Sequence, residues 1–295
     1  MKSAFLTIAA DIKLAHSIFA LPFAILGACI AAGAPLRFEE VWLPLVLIVV
    51  AMVCARTAAM LANRILDADI DKANPRTAGR ALPSGRLSRG DALVAFVLAS
   101  GGLLVICVLF GVLRDNWWPA ALGVPVLAWI CAYGLFKRFT AFCHLWLGAS
   151  LALSPLAAAI AVNPDALALP QIWLLAGMVL GWVAGFDVIY ALQDIDVDRR
   201  DGLHSIPARF GTRGALWISR ILHLVAVGLL VGVWETEPAF GSVFGGAVVL
   251  VAMLLVFEHA TVNRWGTSKM AITFMTINGV VSIVVGAVGV IELAQ

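Results

Sequence analysis

Long apolar stretches, separated by short polar segments, run through almost the whole chain. A helix that crosses a bilayer needs about 20 predominantly apolar residues, and nine stretches approach or exceed that length. They lie near residues 17–34, 43–66, 91–113, 119–136, 141–162, 171–192, 214–234, 240–262 and 270–293. The pattern predicts an all-α bundle of nine transmembrane helices. Residues 1–16, interrupted by Asp11 and Lys13, predict instead an amphipathic helix on the membrane surface.

The composition agrees with a membrane protein. Hydrophobic residues make up 62% of the 295 residues and charged residues only 13%, whereas a soluble domain has about 25% charged residues. These figures exclude a soluble domain, a disordered chain, a nucleic-acid-binding protein and a disulfide-stapled secreted domain. We therefore interpret residues 1–295 as a single integral-membrane domain in contact with lipid. The five cysteines lie in apolar stretches without ligand spacing, which is typical of packing residues.

Basic residues are distributed unevenly between the two sides of the predicted membrane. Most of the 20 Lys and Arg residues fall in loops on one side, whereas the other side has only Arg37 and Arg114. Because basic loops stay in the cytoplasm, we expect a cytoplasmic N-terminus and an external C-terminus. The two long loops, 67–90 and 193–213, then lie on the cytoplasmic side, where function should be sought.

An acidic cluster ends the second predicted helix. Asn63, Asp67 and Asp71 are spaced four residues apart, so a continuing helix places them on one face. Asp69 points off that face. A basic loop that contains Pro and Gly follows at residues 74–85.

A second acidic cluster ends the sixth predicted helix. Asp194, Asp198 and Asp201 share one helical face, and Asp196 points away from it. Another basic loop with Pro and Gly follows at residues 202–211. The clusters are four helices apart, so both reach the same side of the membrane. This arrangement indicates a parallel internal repeat of four helices, with a ninth helix appended, and repeat interfaces commonly hold sites.

The two clusters predict a particular chemistry. Carboxylates concentrated at a bilayer edge are costly unless cations compensate them. Oxygen ligands suit Mg²⁺, which completes its coordination with water and substrate phosphates, and neighbouring Arg and Lys residues can hold phosphate oxygens. Such a site can stabilise the diphosphate that departs from an allylic prenyl donor. A water-poor cavity then protects the carbocation until an aromatic ring attacks it.

These residues resemble the UbiA family of membrane-embedded aromatic prenyltransferases. The family motif N-x-x-x-D-x-x-x-D matches Asn63, Asp67 and Asp71, and the second motif, D-x-x-x-D, matches Asp194 and Asp198. The resemblance covers most of the chain and implies Mg²⁺, a polyprenyl diphosphate donor and an aromatic acceptor. It implies that the four aspartates are catalytic and that, with Asn63, they bind metal.

The resemblance is most specific in two further stretches. Residues 55–60 and 186–190 look most like bacterial 4-hydroxybenzoate polyprenyltransferases, a group that includes menaquinone enzymes with dihydroxynaphthoate-type acceptors. This implies quinone biosynthesis in a bacterial inner membrane. Some family members have a lysine before the second motif, where this chain has Gln193, so we assign no cationic role there.

Basic residues near the motifs are candidates for holding diphosphate oxygens, although each also fits a purely topological role. They are Arg64, Arg76, Arg80 and Lys137.

Charged residues inside the helices suggest an acceptor pocket. Arg56 precedes Asn63 by seven residues, and Asp187 precedes Asp194 by the same offset. An intramembrane charge is usually paired, so one interpretation is an ion pair between Arg56 and Asp187. The other is that Arg56 binds the carboxylate of an aromatic acid while Asp187 or Tyr190 orients its hydroxyl group.

Two other classes of protein remain as alternatives. A CDP-alcohol phosphotransferase also places aspartates at a membrane edge, and Asp198, Asp201 and Gly202 begin its pattern. However, that pattern requires two residues between the glycine and the following Ala-Arg pair, whereas five residues separate Gly202 from Ala208 and Arg209. No paired aspartate follows. A cation-coupled transporter places ionisable residues near the midplane, whereas these lie at helix ends. The histidines lack zinc-site or nucleophile spacing; those within spans, including His144, should pack or bond a neighbour.

Overall fold

The computed structural model describes residues 18–295, and every regular element within them is helical. The α-helices in chain order are α1 (Leu21–Ala32), α2 (Phe38–Leu66), α3 (Ala68–Ala73), α4 (Arg89–Arg114), α5 (Trp118–Phe136), α6 (Cys143–Val162), α7 (Pro170–Tyr190), α8 (Ile195–Arg200), α9 (Ile206–Thr236), α10 (Ser242–Trp265) and α11 (Asn278–Leu293). Short 3₁₀ turns occupy Pro164–Ala168, Ala191–Asp194 and Gly266–Lys269, and a π-helix occupies Ala271–Ile277.

Each of the nine predicted spans corresponds to an apolar helix. Within residues 18–295, eight helical segments are long and apolar enough to cross a membrane. The remaining one, α1, has 12 residues. The prediction of a helical membrane bundle is confirmed, with a first helix shorter than expected. The surface helix predicted for residues 1–16 lies outside the described residues.

Two helices begin earlier than the apolar pattern predicts. Helix α2 begins at Phe38 and carries Glu39 and Glu40 in its first turn. The helix dipole stabilises negative charges at this end of a helix. Helix α9 begins at Ile206, although Gly211 interrupts its helical backbone with a φ of 68°. The two glutamates of α2, and Arg209 and Arg213 near the start of α9, conceal these starts from a hydropathy pattern.

The described residues form two compact units, and the boundary between them falls within α2. The first unit contains residues 49–136. In it, α4 packs against α5, and the loop between α3 and α4 buries Ala81, Leu82 and Leu87 against Leu61 of α2. The loop is therefore a packed substructure, which holds the end of α2 in place.

The second unit contains residues 18–48 and 137–295. Its central element is α7, which packs against α6 and α9. All residues from Gly181 to Ile189 are buried, as expected of a helix that is apolar on every side. Trp182 of α7 packs with Phe19, Phe23 and Phe186 in an aromatic cluster.

A buried polar network links three helices of the second unit. Asn278 accepts a hydrogen bond from Trp182 Nε1 (2.7 Å) and donates to Glu258 Oε1 (2.9 Å). Its amide also donates to the carbonyl oxygen of Thr273 (2.9 Å) in the π-helix. His223 Nδ1 lies 3.7 Å from the other oxygen of Glu258. Buried polar groups need such partners, so Asn278 ties the π-helix, α7 and α10 together.

Helix α1 approaches α6 closely because Gly27 has no side chain. A Cβ atom at Gly27 would lie 2.6 Å from the carbonyl oxygen of Pro155 and 2.8 Å from its Cα atom. Small residues allow membrane helices to pack backbone against backbone. The obstruction is main chain, so rotation of a side chain cannot relieve it.

We predict that Gly27→Ala lowers the free energy of unfolding by about 1–3 kcal/mol, the usual effect of overpacking. The matched control is Gly246→Ala in α10, where an added Cβ would meet no atom of residues 18–295 within 4 Å. This control should leave stability unchanged or raise it slightly, because Ala favours helix more than Gly. Thermal unfolding of both variants in detergent measures the difference. Equal melting temperatures would contradict the close approach.

Candidate functional site

The first motif lies where a long helix is interrupted. Helix α2 ends at Leu66, and Asp67 (φ −97°, ψ 6°) separates it from α3. The expectation of one continuous helix is therefore wrong at this residue. Even so, Asp67 N–H donates to the carbonyl oxygen of Asn63 (2.9 Å) and Asp71 N–H donates to that of Asp67 (2.7 Å). Because this four-residue hydrogen-bond spacing persists, the three motif residues keep their helical order along one side.

The carboxylates of this segment differ in their exposure. Asp67 and Asp71 are buried, at 2% and 4% exposure. Asp69 is exposed and its Oδ1 lies 2.8 Å from Arg89 Nη2. The spacing-based separation of Asp69 from its two neighbours therefore agrees with the structure.

Arg80, one of the four candidate diphosphate ligands, holds the last aspartate of the motif. Its Nη1 lies 2.7 Å from both carboxylate oxygens of Asp71. Thr77 Oγ1 donates to the Asp71 carbonyl oxygen (3.0 Å), which anchors the loop to the same residue. A guanidinium group thus already stands beside the motif, where it can also meet an anion.

The two other basic candidates near the first motif differ in burial. Arg64 is buried and Arg76 is exposed. The backbone N–H of Arg76 donates to Asn74 Oδ1 (2.9 Å), which forms a tight turn of the kind that Asn favours. This turn begins the loop, and Ser88 ends it by accepting a hydrogen bond from Asp91 N–H (3.0 Å).

Asn63 leaves an oxygen atom available at the first motif. Its Oδ1 is buried and has no hydrogen-bond partner among residues 18–295. Gly134 of α5 makes room for it, because a Cβ there would lie 2.8 Å from this oxygen. A buried carbonyl oxygen without a donor, beside two buried carboxylates, fits a hard cation such as Mg²⁺.

No three His, Cys, Asp or Glu side chains in the described part of the chain converge as a preformed metal cage.

The second motif repeats the helix interruption of the first. Helix α7 ends at Tyr190, a 3₁₀ turn covers Ala191–Asp194, and α8 follows. Asp194 has φ −108° and ψ 6°, almost the same backbone conformation as Asp67. Both values lie in the sparsely populated bridge region, where many active-site residues sit. This local agreement supports the predicted repeat.

Ser205 connects the second motif to the following helix. Its hydroxyl donates to Asp198 Oδ2 (2.7 Å) and accepts from Ala208 N–H (3.2 Å), which caps α9. Nearby, His204 N–H donates to the carbonyl oxygen of Lys137 (2.6 Å). The structure therefore brings Lys137 beside the loop of the second motif.

Asp201, the last acidic residue of the second cluster, belongs to a different interaction. Arg200 Nε lies 2.7 Å from its Oδ1, and Arg200 Nη2 lies 3.1 Å from its Oδ2. These hydrogen bonds lower the pKa of the Asp201 carboxyl. Arg200 therefore keeps Asp201 ionised and pairs with it at the protein surface.

Asp187 is held by a histidine. Its Oδ2 lies 2.7 Å from His144 Nδ1, and the backbone N–H of Ile206 donates to His144 Nε2 (3.3 Å). Because Nε2 accepts a hydrogen bond, the proton of the neutral imidazole resides on Nδ1 and is donated to Asp187. His144 thereby links α6, α7 and the start of α9, next to Ser205.

The remaining acceptor candidates lie on separate helices. Tyr190 ends α7, and its ring centroid is 4.4 Å from that of Phe274. Arg56 lies within α2, seven residues before Asn63. The ion pair expected between Arg56 and Asp187 stays a prediction, and His144 is an additional partner of Asp187.

Sequence reasoning missed the roles of His144 and Ser205. The signal for Ser205 was present, because a Ser-Ile-Pro sequence after a loop is typical of a helix start with Pro in the first turn. His144 is 43 positions from Asp187, and no local spacing connects the two residues. The expectation that a histidine within a span bonds a neighbour is nevertheless confirmed by the structure.

Comparisons with known proteins agree with this fold. The sequence profile of the UbiA prenyltransferase family matches residues 20–280. A 4-hydroxybenzoate octaprenyltransferase of Edwardsiella ictaluri is 31% identical over 224 residues, covering 76% of this chain and 75% of the relative. One from Alkalilimnicola ehrlichii is 34% identical over 195 residues, or 64% of each chain.

Solved structures of UbiA homologs have a similar fold. A UbiA homolog from Aeropyrum pernix K1 is 33% identical, with a TM-score of 0.81 over 94% of this chain and 97% of that one. A UbiA homolog from Archaeoglobus fulgidus bound to GPP and Mg²⁺ is 15% identical, with a TM-score of 0.73 over 98% and 100% of the two chains.

The helical membrane fold and these relatives define a membrane-embedded prenyltransferase. The chain belongs to the UbiA prenyltransferase family.

We predict that His144→Leu lowers the free energy of unfolding by about 3–5 kcal/mol, because it leaves the Asp187 carboxylate without its donor in a buried position. The double variant His144→Leu/Asp187→Leu should recover much of this loss, since it removes both polar partners together. Denaturation midpoints of the wild type, both single variants and the double variant form the measurement. If the double variant is as unstable as the sum of the single variants, the pairing is refuted.

Proposed function

We propose that this prenyltransferase transfers a polyprenyl group from polyprenyl diphosphate to an aromatic acid in quinone biosynthesis. The acceptor is 4-hydroxybenzoate or a dihydroxynaphthoate-type acid, and the reaction depends on Mg²⁺. The main support is the pair of motifs, in which the first aspartate of each interrupts a long apolar helix in the same backbone conformation. The names of the relatives support the acceptor class.

The first motif binds one Mg²⁺–diphosphate unit through Asn63, Asp67 and Asp71. The available oxygen of Asn63 and the burial of both aspartates support this assignment. Asp194 and Asp198 bind a second unit at the other motif. Bound Mg²⁺ supplies charge neutralisation for the departing diphosphate. Burial of the Asp67 and Asp71 carboxylates keeps water away from this charge, which strengthens each interaction at the first motif.

The four basic candidates, Arg64, Arg76, Arg80 and Lys137, hold diphosphate oxygens. Arg80 is the best supported because it is partly buried beside Asp71 and fixed by it. Its guanidinium can contact an incoming anion without losing its position. The hydrogen bond from His204 to the Lys137 carbonyl oxygen places Lys137 beside the second-motif loop. Lys137 therefore holds oxygens of the diphosphate at the second motif.

Arg56 binds the carboxylate of the acceptor, and Asp187 or Tyr190 orients its hydroxyl group. The hydrogen bond from His144 supports this role for Asp187, because it fixes the carboxylate orientation. Residues 1–295 form a single domain in the bacterial inner membrane, with the N-terminus in the cytoplasm. The uneven distribution of basic loops supports this orientation.

We expect purified protein, given Mg²⁺, a prenyl diphosphate and several aromatic acids together, to form one prenylated acid that mass spectrometry detects. Asp67→Asn or Asp194→Asn should lower kcat/KM by more than about 100-fold, because losing even an outer-shell partner of a metal costs 10–100-fold. The matched control is Asp69→Asn, which removes the same charge from an exposed position and should retain activity.

Three results would contradict the proposed function. They are the absence of any prenylated acid, full activity after chelation of divalent cations, and equal losses in Asp67→Asn and Asp69→Asn. Phosphoalcohol transfer or cation-coupled uptake by the same preparation would instead support one of the two alternatives.

For the acceptor pocket, we predict that Arg56→Lys raises the KM of the aromatic acid and leaves that of the prenyl diphosphate unchanged. Lysine keeps the charge but loses the bidentate geometry that suits a carboxylate. Arg37→Lys is the control, because Arg37 is exposed and pairs only loosely with Glu40 at 3.4 Å. Steady-state kinetics with each substrate varied in turn measures both constants. A lower melting temperature with both KM values intact would make Arg56 structural.

A further inference from the structure

A groove outside both motifs runs along α9 and α10 in the second unit. Its volume is about 480 Å³, and its lining residues are Thr212, Arg213, Leu216, Trp217, Arg220 and Asn263. None of these six residues belongs to the two motifs or to the acceptor candidates. The groove therefore lies apart from the residues that we assign to prenyl transfer.

Two arginines give the groove a positive charge, and none of its lining residues in the described part of the chain is a carboxylate. Arg213 and Arg220 are seven residues apart, so they lie on the same face of α9, about 10 Å apart along its axis. Arg220 is fixed in place. Its Nη2 donates to Asn263 Oδ1 (3.1 Å), and its guanidinium lies 4.9 Å from the ring centroid of Trp217. A guanidinium held in this way is preorganised for a phosphate oxygen.

The backbone adds to this positive potential. Gly211 has φ 68° and ψ 175°, so the regular part of α9 restarts at Thr212. This segment extends to Thr236, which makes it long enough to carry a helix dipole whose positive end lies at the groove. Arg213 and the helix start therefore favour the same kind of ligand, an anion.

The groove continues into an apolar surface rather than into solvent-facing polar residues. On α9, Trp217 is 59% exposed and Leu224 is 73% exposed; on α10, Val256 is 70% exposed. Both helices are long enough to span a membrane, so these side chains face lipid. A ligand that fills the groove must combine an anionic group with hydrocarbon that lies along these two helices.

We propose that this groove binds an anionic glycerophospholipid. Its phosphate contacts Arg213 and Arg220, and its acyl chains lie against the apolar faces of α9 and α10. Basic pockets between membrane helices bind anionic headgroups in this way. The indole of Trp217 suits the boundary between headgroup and hydrocarbon. A zwitterionic phospholipid carries a compensating cation that the two arginines repel, so it binds less well.

Native mass spectrometry of the full-length protein in neutral detergent tests this proposal by titration with phosphatidylglycerol and, separately, phosphatidylcholine. The wild type should retain phosphatidylglycerol preferentially. Arg213→Gln/Arg220→Gln should weaken phosphatidylglycerol binding at least about tenfold, because it removes two charged hydrogen-bond donors, and should leave phosphatidylcholine binding unchanged. Arg220→Lys should cause a smaller loss, because it keeps the charge and loses the planar donor group.

The matched control is Arg264→Gln. Arg264 stacks on Trp265 at 5.0 Å near the end of α10, outside the groove lining. An equal loss in this control would show general attraction to basic loops and would overturn the proposal. Equal retention of both lipids would also overturn it. Displacement of phosphatidylglycerol by millimolar inorganic phosphate would assign the groove to a free anion instead. Arg213→Gln alone, at an exposed position, provides a variant whose folding does not depend on the Arg220 contacts.

Discussion

The interruption of a long apolar helix at an aspartate determines the geometry of each motif. A helix exposed to lipid must satisfy every backbone polar group internally, so a break is tolerated only at the membrane edge or where protein or water supplies hydrogen-bond partners. Helix α2 stops before Asp67, and α7 gives way to a 3₁₀ turn that ends at Asp194. Each break lets the chain turn while its carboxylates remain partly shielded from water. The loops that follow then return to a serine that caps the next helix, Ser88 in one case and Ser205 in the other.

Carboxylates near these breaks are held by specific partners, which explains why the surrounding loops are ordered and basic. Arg80 holds Asp71, Ser205 holds Asp198, and His144 holds Asp187. A buried charge without such a partner is strongly destabilising. The partners differ in kind, because a guanidinium can also bind an anion, whereas a serine that caps a helix and a histidine that bridges two groups are fully occupied. Each of these three carboxylates therefore has a partner within its own unit.

Much of this architecture could be predicted because it follows from local pattern. The apolar lengths predict the spans, and the four-residue spacing separates Asp67 and Asp71 from the exposed Asp69. The break at Asp67 could not be predicted, because a spacing of four residues fits an uninterrupted helix equally well. The His144–Asp187 contact depends on how α6 and α7 are rotated about their axes, which side-chain packing decides. The selection of Arg80 as the partner of Asp71 depends on the path of the folded loop.

The π-helix at Ala271–Ile277 has a consequence for aligning this chain with its relatives. A π-turn accommodates one residue more than an α-helical turn, and each residue rotates an α-helix by about 100°. The extra residue therefore sets the rotational register of α11 and directs Asn278 toward Glu258 and Trp182. A relative that has no gap in this segment but forms a regular α-helix there would present a different face of its last helix. In such a relative, the residue aligned with Asn278 would no longer point toward the residue aligned with Glu258, however similar the two sequences.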